Sequence, residues 1–237
     1  MAVTFDVAVA KTNKFASRES GDTVEVVERP GGGLSVVVVD GQGSGDGAKR
    51  LSLMVAGRAI SLLNEGVRDG TAARAAHDFL YAQRGGRVSA ALDILSIDLS
   101  SRTVVVTRNS EVPMLLSRAG ELDMIHDSGG RIGIYRQARP RVLEFPCEPD
   151  TFAILVTDGV IEAGKRHGTP FDFADVARTL LTLELPAQEI VDRILFKAMA
   201  ADKNRPGDDM TVVALKIGPG AREHPVRRLF VSVALPE

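Results

Sequence analysis

The order of apolar and polar residues along the chain predicts both helices and strands. Residues 36–39 are four consecutive valines, and such a β-branched run is typical of a strand buried on both faces. In 48–64 the apolar residues instead recur at helical spacing and form a wide stripe. These patterns predict helices at 48–64, 71–84, 172–183 and 187–201, and strands at 3–9, 23–28, 34–39, 89–99, 103–109, 112–118, 141–145, 151–157 and 210–217.

Turn residues between the predicted strands indicate how the strands are connected. The stretch 29–33 (RPGGG) is typical of a hairpin, and the three strands between 89 and 118 are separated by short turns, as in a β-meander. We therefore expect antiparallel sheets in an α+β fold. The remaining stretch, 218–237, is interpreted as a C-terminal extension with one possible extra strand at 226–233.

Composition narrows the class of protein. The 237 residues contain no Pro/Ser-rich linker, so we expect one domain over 1–237. A net charge of −2 and scattered Lys and Arg argue against nucleic acid as a partner. The apolar stretches are too short or too interrupted to span a bilayer, and the start lacks signal-peptide order, so no membrane partner is expected. A single cysteine, Cys147, cannot form an internal disulfide, which favours a cytoplasmic protein.

Aspartates stand at the ends of three of the most apolar strands. Asp40 and Asp158 follow such strands, and Asp208 comes just before another. If these strands are neighbours, three carboxylates converge at one edge of the core, where a cation must neutralise them. No Lys or Arg lies near Asp40 or Asp158 in the sequence. Oxygen ligands favour Mg²⁺ or Mn²⁺, so the pattern predicts a metal site.

A glycine-rich turn after Asp40 offers a different interpretation. The stretch 41–47 (GQGSGDG) could be the phosphate loop of a nucleotide-binding oxidoreductase. However, Asp40 and Asp46 would repel phosphate, and the chain continues with two helices and a meander rather than with the expected βαβ unit. We keep this as the less favoured hypothesis.

Four motifs in order carry a resemblance to a known family. The motifs are Gly21-Asp22, Asp40-Gly41-x-Gly43-x-Gly45, Thr157-Asp158-Gly159-Val160-x-Glu162-Ala163 and Gly207-Asp208-Asp209-Met210-Thr211-Val212. In this order they resemble those of the SpoIIE-like branch of the metal-dependent type 2C protein phosphatases, and the resemblance covers about residues 5–217. Further similarity lies at 109–116 and at Gly130-Arg131-Ile132-Gly133.

This resemblance implies a fold and a site. The fold would be a four-layer α-β-β-α sandwich, with two antiparallel sheets flanked by helix pairs. The site would hold two Mn²⁺ or Mg²⁺ ions that activate a water for phosphoester hydrolysis. Asp40 would bridge the ions, Asp158 and Asp208 would complete the ligands of one, and Asp22 with the Gly41 carbonyl would hold the other. By this resemblance Asp40, Asp158 and Asp208 are the catalytic candidates, and Asp22 is a metal ligand.

The same resemblance implies lesser roles and a substrate class. Asp209 would support the ligands from behind, and Arg18 is a speculative contact for the substrate phosphate. Gln42 stands where many relatives carry His, so the leaving-group acid is unassigned. The implied substrate is a phosphorylated anti-sigma-factor antagonist of the STAS type, in bacterial stress-response signalling of the RsbU and RsbX kind. The near absence of residues before the phosphatase region favours a stand-alone enzyme, although a chain cut from a longer protein would look the same.

A third hypothesis is a non-catalytic regulatory docking module of the same fold. The presence of all four metal-ligand candidates argues against it, whereas Gln42 leaves it open.

Overall fold

The computed structural model describes residues 3–127, 129–220 and 227–232, and those ranges contain ten strands and five α-helices. The helices are α1 (Gly45–Asn64), α2 (Asp69–Arg84), α3 (Asp158–Glu162), α4 (Phe173–Leu181) and α5 (Ala187–Ala201). The strands are β1 (Val3–Thr12), β2 (Asp22–Glu28), β3 (Leu34–Gly41), β4 (Ala90–Asp98), β5 (Thr103–Asn109), β6 (Met114–Arg118), β7 (Glu121–Ile125), β8 (Arg141–Pro146), β9 (Thr151–Val156) and β10 (Met210–Pro219).

The strands form two five-stranded sheets. The β3 sheet has the order β2-β3-β4-β5-β8, and the β10 sheet has the order β1-β10-β9-β6-β7. All neighbouring strands in both sheets pair antiparallel. Helices α1 and α2 cover the outer face of the β3 sheet, and α4 and α5 cover that of the β10 sheet. The predicted four-layer α-β-β-α sandwich is therefore confirmed.

Three apolar clusters fill the spaces between the four layers, and β3 contributes to two of them. Val36 and Val38 pack between the sheets, whereas Val37 and Val39 pack beneath α1 and α2. Side chains on a strand alternate between its two faces, so a strand buried on both sides needs an apolar residue at every position. This explains the unbroken run of valines and fixes the direction in which the next residue, Asp40, points.

The predicted meander is wrong at its third strand. β4 pairs with β5, but β6 lies in the other sheet and pairs with β9 and with β7. The short turn after β5 therefore carries the chain from one sheet to the other. β7 (ELDMI) was not predicted, because five residues are too few for a clear strand pattern. With all pairs antiparallel in the described ranges, the parallel unit that the oxidoreductase hypothesis needs is not formed.

The C-terminal prediction also differs from the structure. Residues 227–232 have no regular secondary structure, so the extra strand predicted at 226–233 is wrong over these residues, while its two ends lie outside the described ranges. Arg227 instead donates a hydrogen bond to the Gly32 carbonyl (2.9 Å) and lies 3.6 Å from Glu28. No helix in the described parts of the chain combines the length and the apolar composition needed to cross a membrane.

Candidate active site

Two of the candidate ligands stand opposite each other in the β3 sheet. Asp22 begins β2 and Asp40 lies near the end of β3, and the two residues are direct partners in the antiparallel register. Asp40 shares the inward-facing side of β3 with Val36 and Val38. Both carboxylates therefore point into the space between the two sheets at one end of the sandwich.

The other two candidates reach the same end from the β10 sheet. Asp158 begins α3 directly after β9, and Asp208 lies just before β10, the neighbour of β9. Asp158 repels Asp40, and Asp208 repels Asp158. We call Asp22, Asp40, Asp158 and Asp208 the acidic rim, since the fold brings all four together although they are far apart in sequence.

Asp22 is held by hydroxyl groups from the opposite sheet. Its Oδ2 accepts hydrogen bonds from Thr157 Oγ1 (2.9 Å) and Thr211 Oγ1 (2.6 Å). Its backbone carbonyl accepts from the Nζ atoms of Lys11 (2.9 Å) and Lys49 (2.8 Å). Burial raises the pKa of Asp22 to about 6, although the two hydroxyl bonds favour the charged form. The carboxylate is thus fixed in orientation. Among the described residues no Lys or Arg forms an ion pair with it, although Lys11 lies near enough to attract it.

The pKa of Asp40 is raised further than that of Asp22. Burial, and then repulsion from Asp158, raise its pKa to about 7, while Arg131 opposes the rise. Burial and repulsion from Asp208 likewise raise the pKa of Asp158. Carboxylates that repel one another in a partly buried site are stabilised by a cation.

Arg131 is the site residue that the sequence analysis missed. Its Nη1 lies 3.1 Å from Asp40 Oδ2 and 3.9 Å from Asp158 Oδ2. The expectation that no Lys or Arg accompanies these two aspartates is therefore wrong in space, although it holds along the sequence. The residue comes from the glycine-rich loop 129–133, which the sequence analysis noted only as part of the family resemblance. No periodicity in the sequence connects this loop to Asp40.

Asp209 organises the backbone behind the acidic rim. Its Oδ2 accepts from the backbone N–H of Gly21 (2.8 Å) and its Oδ1 from that of Lys14 (2.9 Å). These bonds tie the start of β10 to the loop before β2 and so help to place Asp22. Arg18, the speculative phosphate contact, is exposed in that same loop. Asp208 Oδ1 accepts from the Asp209 N–H (3.0 Å).

Two glycines next to the aspartates are required by close backbone approach. A Cβ atom on Gly41 would lie 2.3 Å from the Ala48 carbonyl oxygen, and one on Gly159 would lie 2.1 Å from that of Asp209. Any side chain at either position would push α1 or the start of β10 away. The glycines that follow Asp40 and Asp158 therefore do more than form turns, because they allow α1 and β10 to pack against the site.

A second buried charge pair lies deeper between the sheets. Asp93 on β4 is 3.9 Å from Arg108 on β5, both are almost fully buried, and Asp93 lines a small cavity together with Asp40 and Asp158. Burial raises the pKa of Asp93 to about 6, with Arg108 opposing the rise. Asp93 was not predicted as a site residue, because it lies within a mostly apolar strand with no motif around it.

The donor types at the acidic rim fit hard divalent cations, which prefer oxygen ligands. In the arrangement described, no three His, Cys, Asp or Glu side chains within 3–127, 129–220 and 227–232 are placed to hold one metal ion. The guanidinium of Arg131 lies between Asp40 and Asp158 instead. The residues therefore fit the ions in donor chemistry, but the described side chains are not gathered around one ion position, and Arg131 lies between Asp40 and Asp158.

Family and structure comparisons agree with the observed architecture. The family model for Stage II sporulation protein E (SpoIIE) matches residues 30–218, which is most of the chain. No curated protein sequence matches the chain.

Solved structures with the same fold include phosphatase domains. The PP2C phosphatase domain of SpoIIE from Bacillus subtilis, with a fragment of its regulatory domain, has a TM-score of 0.76 at 21% identity, covering 92% of this chain and 64% of that chain. This chain thus spans just under two thirds of that one. The RsbU and RsbW domains of a Mycobacterium tuberculosis protein give 0.72 at 18%, covering 92% and 62%. RsbX in complex with magnesium gives 0.68 at 18%, covering 90% and 96%.

At these identities the structural similarity establishes the fold, and the family match establishes the relationship. The chain belongs to the SpoIIE family and has the fold of the PP2C-type phosphatases.

Proposed function

We propose that this protein is a metal-dependent phosphoprotein phosphatase that hydrolyses phosphoserine or phosphothreonine with two Mn²⁺ or Mg²⁺ ions. The observation that carries the proposal is the meeting of Asp22 and Asp40 from one sheet with Asp158 and Asp208 from the other. Family membership supports the same reaction class.

The proposed ligands divide between the two ions. Asp40 would be shared by both ions, Asp158 and Asp208 would hold one of them, and Asp22 with the Gly41 carbonyl would hold the other. The bound ions would supply an activated water and would neutralise charge on the phosphoryl oxygens. The RsbX structure with magnesium supports a divalent ion in this fold, and the identity and number of the ions are part of the proposal.

The surrounding residues prepare these ligands. Thr157 and Thr211 fix the orientation of the Asp22 carboxylate, and Asp209 holds the loop that delivers it. With its pKa raised to about 7, Asp40 carries a proton part of the time at neutral pH, so ligation would release that proton. Arg18 is proposed to contact the substrate phosphate from its exposed loop.

The proposed substrate is a phosphorylated anti-sigma-factor antagonist of the STAS type, and we also propose a cytoplasmic location. The structural relative that carries RsbU and RsbW domains supports a role in sigma-factor regulation. At the exposed edge of the site 44% of the Asp158 side chain is accessible, which supports access by a phosphorylated residue from another protein.

Hydrolysis of p-nitrophenyl phosphate tests the reaction class. We expect turnover with added Mn²⁺ and its loss in excess EDTA, and sustained turnover in EDTA would contradict the two-metal mechanism. Phosphoserine release from a purified STAS-domain phosphoprotein then tests the substrate class.

The alternative is a non-catalytic docking module of the same fold. The pairing of Arg131 with Asp40 favours it, since a permanent pair would keep cations out. A protein that binds a phosphorylated partner but hydrolyses neither substrate at any Mn²⁺ concentration would establish this alternative.

A further inference from the structure

Arg131 contacts two carboxylates of the acidic rim. Its Nη1 faces one oxygen each of Asp40 (3.1 Å) and Asp158 (3.9 Å), two residues that the proposed function makes ligands of a divalent ion. Its side chain is only 22% exposed, so the guanidinium lies within the acidic rim rather than above it.

Other contacts fix the guanidinium in this place. Arg131 Nε lies 3.3 Å from Ser89 Oγ, and Nη2 lies 3.4 Å from the Asp40 carbonyl oxygen. The hydroxyl of Ser89 and the backbone of β3 thus orient the planar fork so that Nη1 points at the carboxylates.

The backbone that follows Arg131 is also anchored. Ile132 is fully buried and forms an antiparallel bridge with Ala90 at the start of β4. The next residue, Gly133, donates its N–H to His77 Nδ1 on α2 (3.0 Å). The position of Arg131 is therefore determined by the fold, and the side chain can leave the carboxylates only by rotating about its own bonds.

A guanidinium and a divalent cation cannot both occupy the gap between Asp40 and Asp158. They require the same carboxylate oxygens, and two cations within about 4 Å repel each other strongly at the low effective dielectric of a partly buried site. Binding of an ion to these oxygens must therefore displace Arg131.

We propose that Arg131 is a built-in competitor that occupies the metal site of the ion-free protein and sets how much divalent ion is needed to load it. The inference rests on the proposed function, because it takes Asp40 and Asp158 as metal ligands. In this role Arg131 neutralises the carboxylates of the acidic rim before an ion binds. It also weakens ion binding by the free energy of the contacts that the ion must break.

Isothermal titration of the ion-free protein with Mn²⁺ at pH 8, without substrate, tests this role. We expect Arg131→Gln to bind Mn²⁺ about tenfold more tightly than the wild type, since the competing charge is gone. Arg131→Lys keeps the charge but loses the planar fork and should fall between the two. Arg136→Gln removes the same charge from an exposed position five residues along the chain and should leave the affinity unchanged.

The outcomes separate this inference from the proposed function. If the wild type binds Mn²⁺ and Arg131→Gln binds it equally or more weakly, the competitor role is wrong while the metal site stands. If neither the wild type nor any variant binds Mn²⁺, the proposed function fails and the inference fails with it.

A measurement on the wild type needs a variant only to assign the signal. The side-chain Nε–Hε resonance of Arg131, assigned by its loss in Arg131→Lys, should shift on titration with diamagnetic Mg²⁺ in step with ion binding. A resonance that stays in place while Mg²⁺ binds would show that the guanidinium is not displaced and would overturn the proposal.

Discussion

Two groups of buried charge lie at opposite ends of the β3 sheet, and they are balanced in different ways. At the end away from the acidic rim, Arg29 pairs with Asp69 and donates a further bond to the Val67 carbonyl (2.7 Å). Ser35 and Ser96 hydrogen bond to each other beside them (2.6 Å). We call Arg29, Asp69, Ser35 and Ser96 the distal cluster.

The pKa shifts show the difference between the distal cluster and the rim. Burial raises the pKa of both Asp69 and Asp40, but the next largest influence is attraction to Arg29 for Asp69 and repulsion from Asp158 for Asp40. The distal cluster has one cation for its one carboxylate, whereas Arg131 serves a rim of several. The comparison teaches that the distal cluster is complete as a structural element, while the rim gains from an added cation.

The largest expected effect comes from a substitution at the acidic rim that should lower activity but raise stability. Asp40→Asn should lower Mn²⁺-dependent hydrolysis of p-nitrophenyl phosphate by at least about a thousandfold, since the bridging carboxylate is lost. The ion-free variant should nevertheless melt at a higher temperature than the wild type, because the repulsion from Asp158 and Asp22 is removed.

Asp46→Asn is the matched control, because Asp46 is exposed in the first turn of α1 and lies outside the rim. It should change neither the rate of hydrolysis nor the melting temperature appreciably. An Asp40→Asn variant that is both inactive and less stable would contradict the idea that the rim carries uncompensated charge.

The opposite result is expected at the distal cluster. Asp69→Asn leaves Arg29 partly buried without its carboxylate and should lower the free energy of unfolding by about 3 kcal/mol, at the low end for breaking a buried pair. The kcat at saturating Mn²⁺ should not change at temperatures where the variant is folded. Urea denaturation and steady-state kinetics measure the two effects, and a large fall in kcat would mean that the two ends are coupled.

The dependence of the free energy of unfolding on pH also tests whether the acidic rim carries uncompensated charge. Asp22 and Asp40 have folded-state pKa values of about 6 and about 7, above the ordinary value of about 3.9. Their contribution to stability is therefore fully present below pH 4 and is lost as the pH rises through 6 and 7. The ion-free protein should lose about 3 to 4 kcal/mol between pH 5 and pH 7, at about 1.4 kcal/mol per pH unit over about one unit for Asp22 and nearly two for Asp40.

Saturating Mn²⁺ should remove most of this loss, since ion binding favours the charged carboxylates. Thermal melts at both pH values, with and without Mn²⁺, provide the measurement. Equal slopes in the two series would argue that the ions do not bind at Asp22 and Asp40.

The smallest expected effect concerns one hydroxyl at the rim. Thr211→Val removes the donor 2.6 Å from Asp22 Oδ2 and should cost about 1 kcal/mol of stability. It should also weaken Mn²⁺ binding severalfold, because Asp22 loses part of its orientation. Thr211→Ser keeps the hydroxyl and serves as the control; a Ser variant as impaired as the Val variant would point to packing rather than to the hydrogen bond.

Much of the fold can be predicted from local sequence patterns. The prediction is wrong where those patterns carry no information about which strands pair. Residues 103–109 and 187–201 were predicted with the bounds that the structure has, because their periodicity is clear. The sheet to which β6 belongs could not be predicted, since a short turn after β5 has the same composition whether the chain pairs locally or crosses to the other sheet.

The candidate site shows the same division. The strand-end aspartates could be found in the sequence because each adjoins a strand that must be central. Arg131 could not, because it reaches Asp40 across 91 residues from a loop without periodicity. Likewise, the hydroxyls of Thr157 and Thr211 become partners of Asp22 only when the two sheets are stacked.

The most direct test of the central claim is a crystal structure of the protein with Mn²⁺, using anomalous scattering to locate the ions. We expect two anomalous peaks about 3.5–4 Å apart, held by Asp22, Asp40, Asp158 and Asp208, with the guanidinium of Arg131 moved away from Asp40. A structure at saturating Mn²⁺ with no peak at the acidic rim, and with Arg131 still between Asp40 and Asp158, would contradict it.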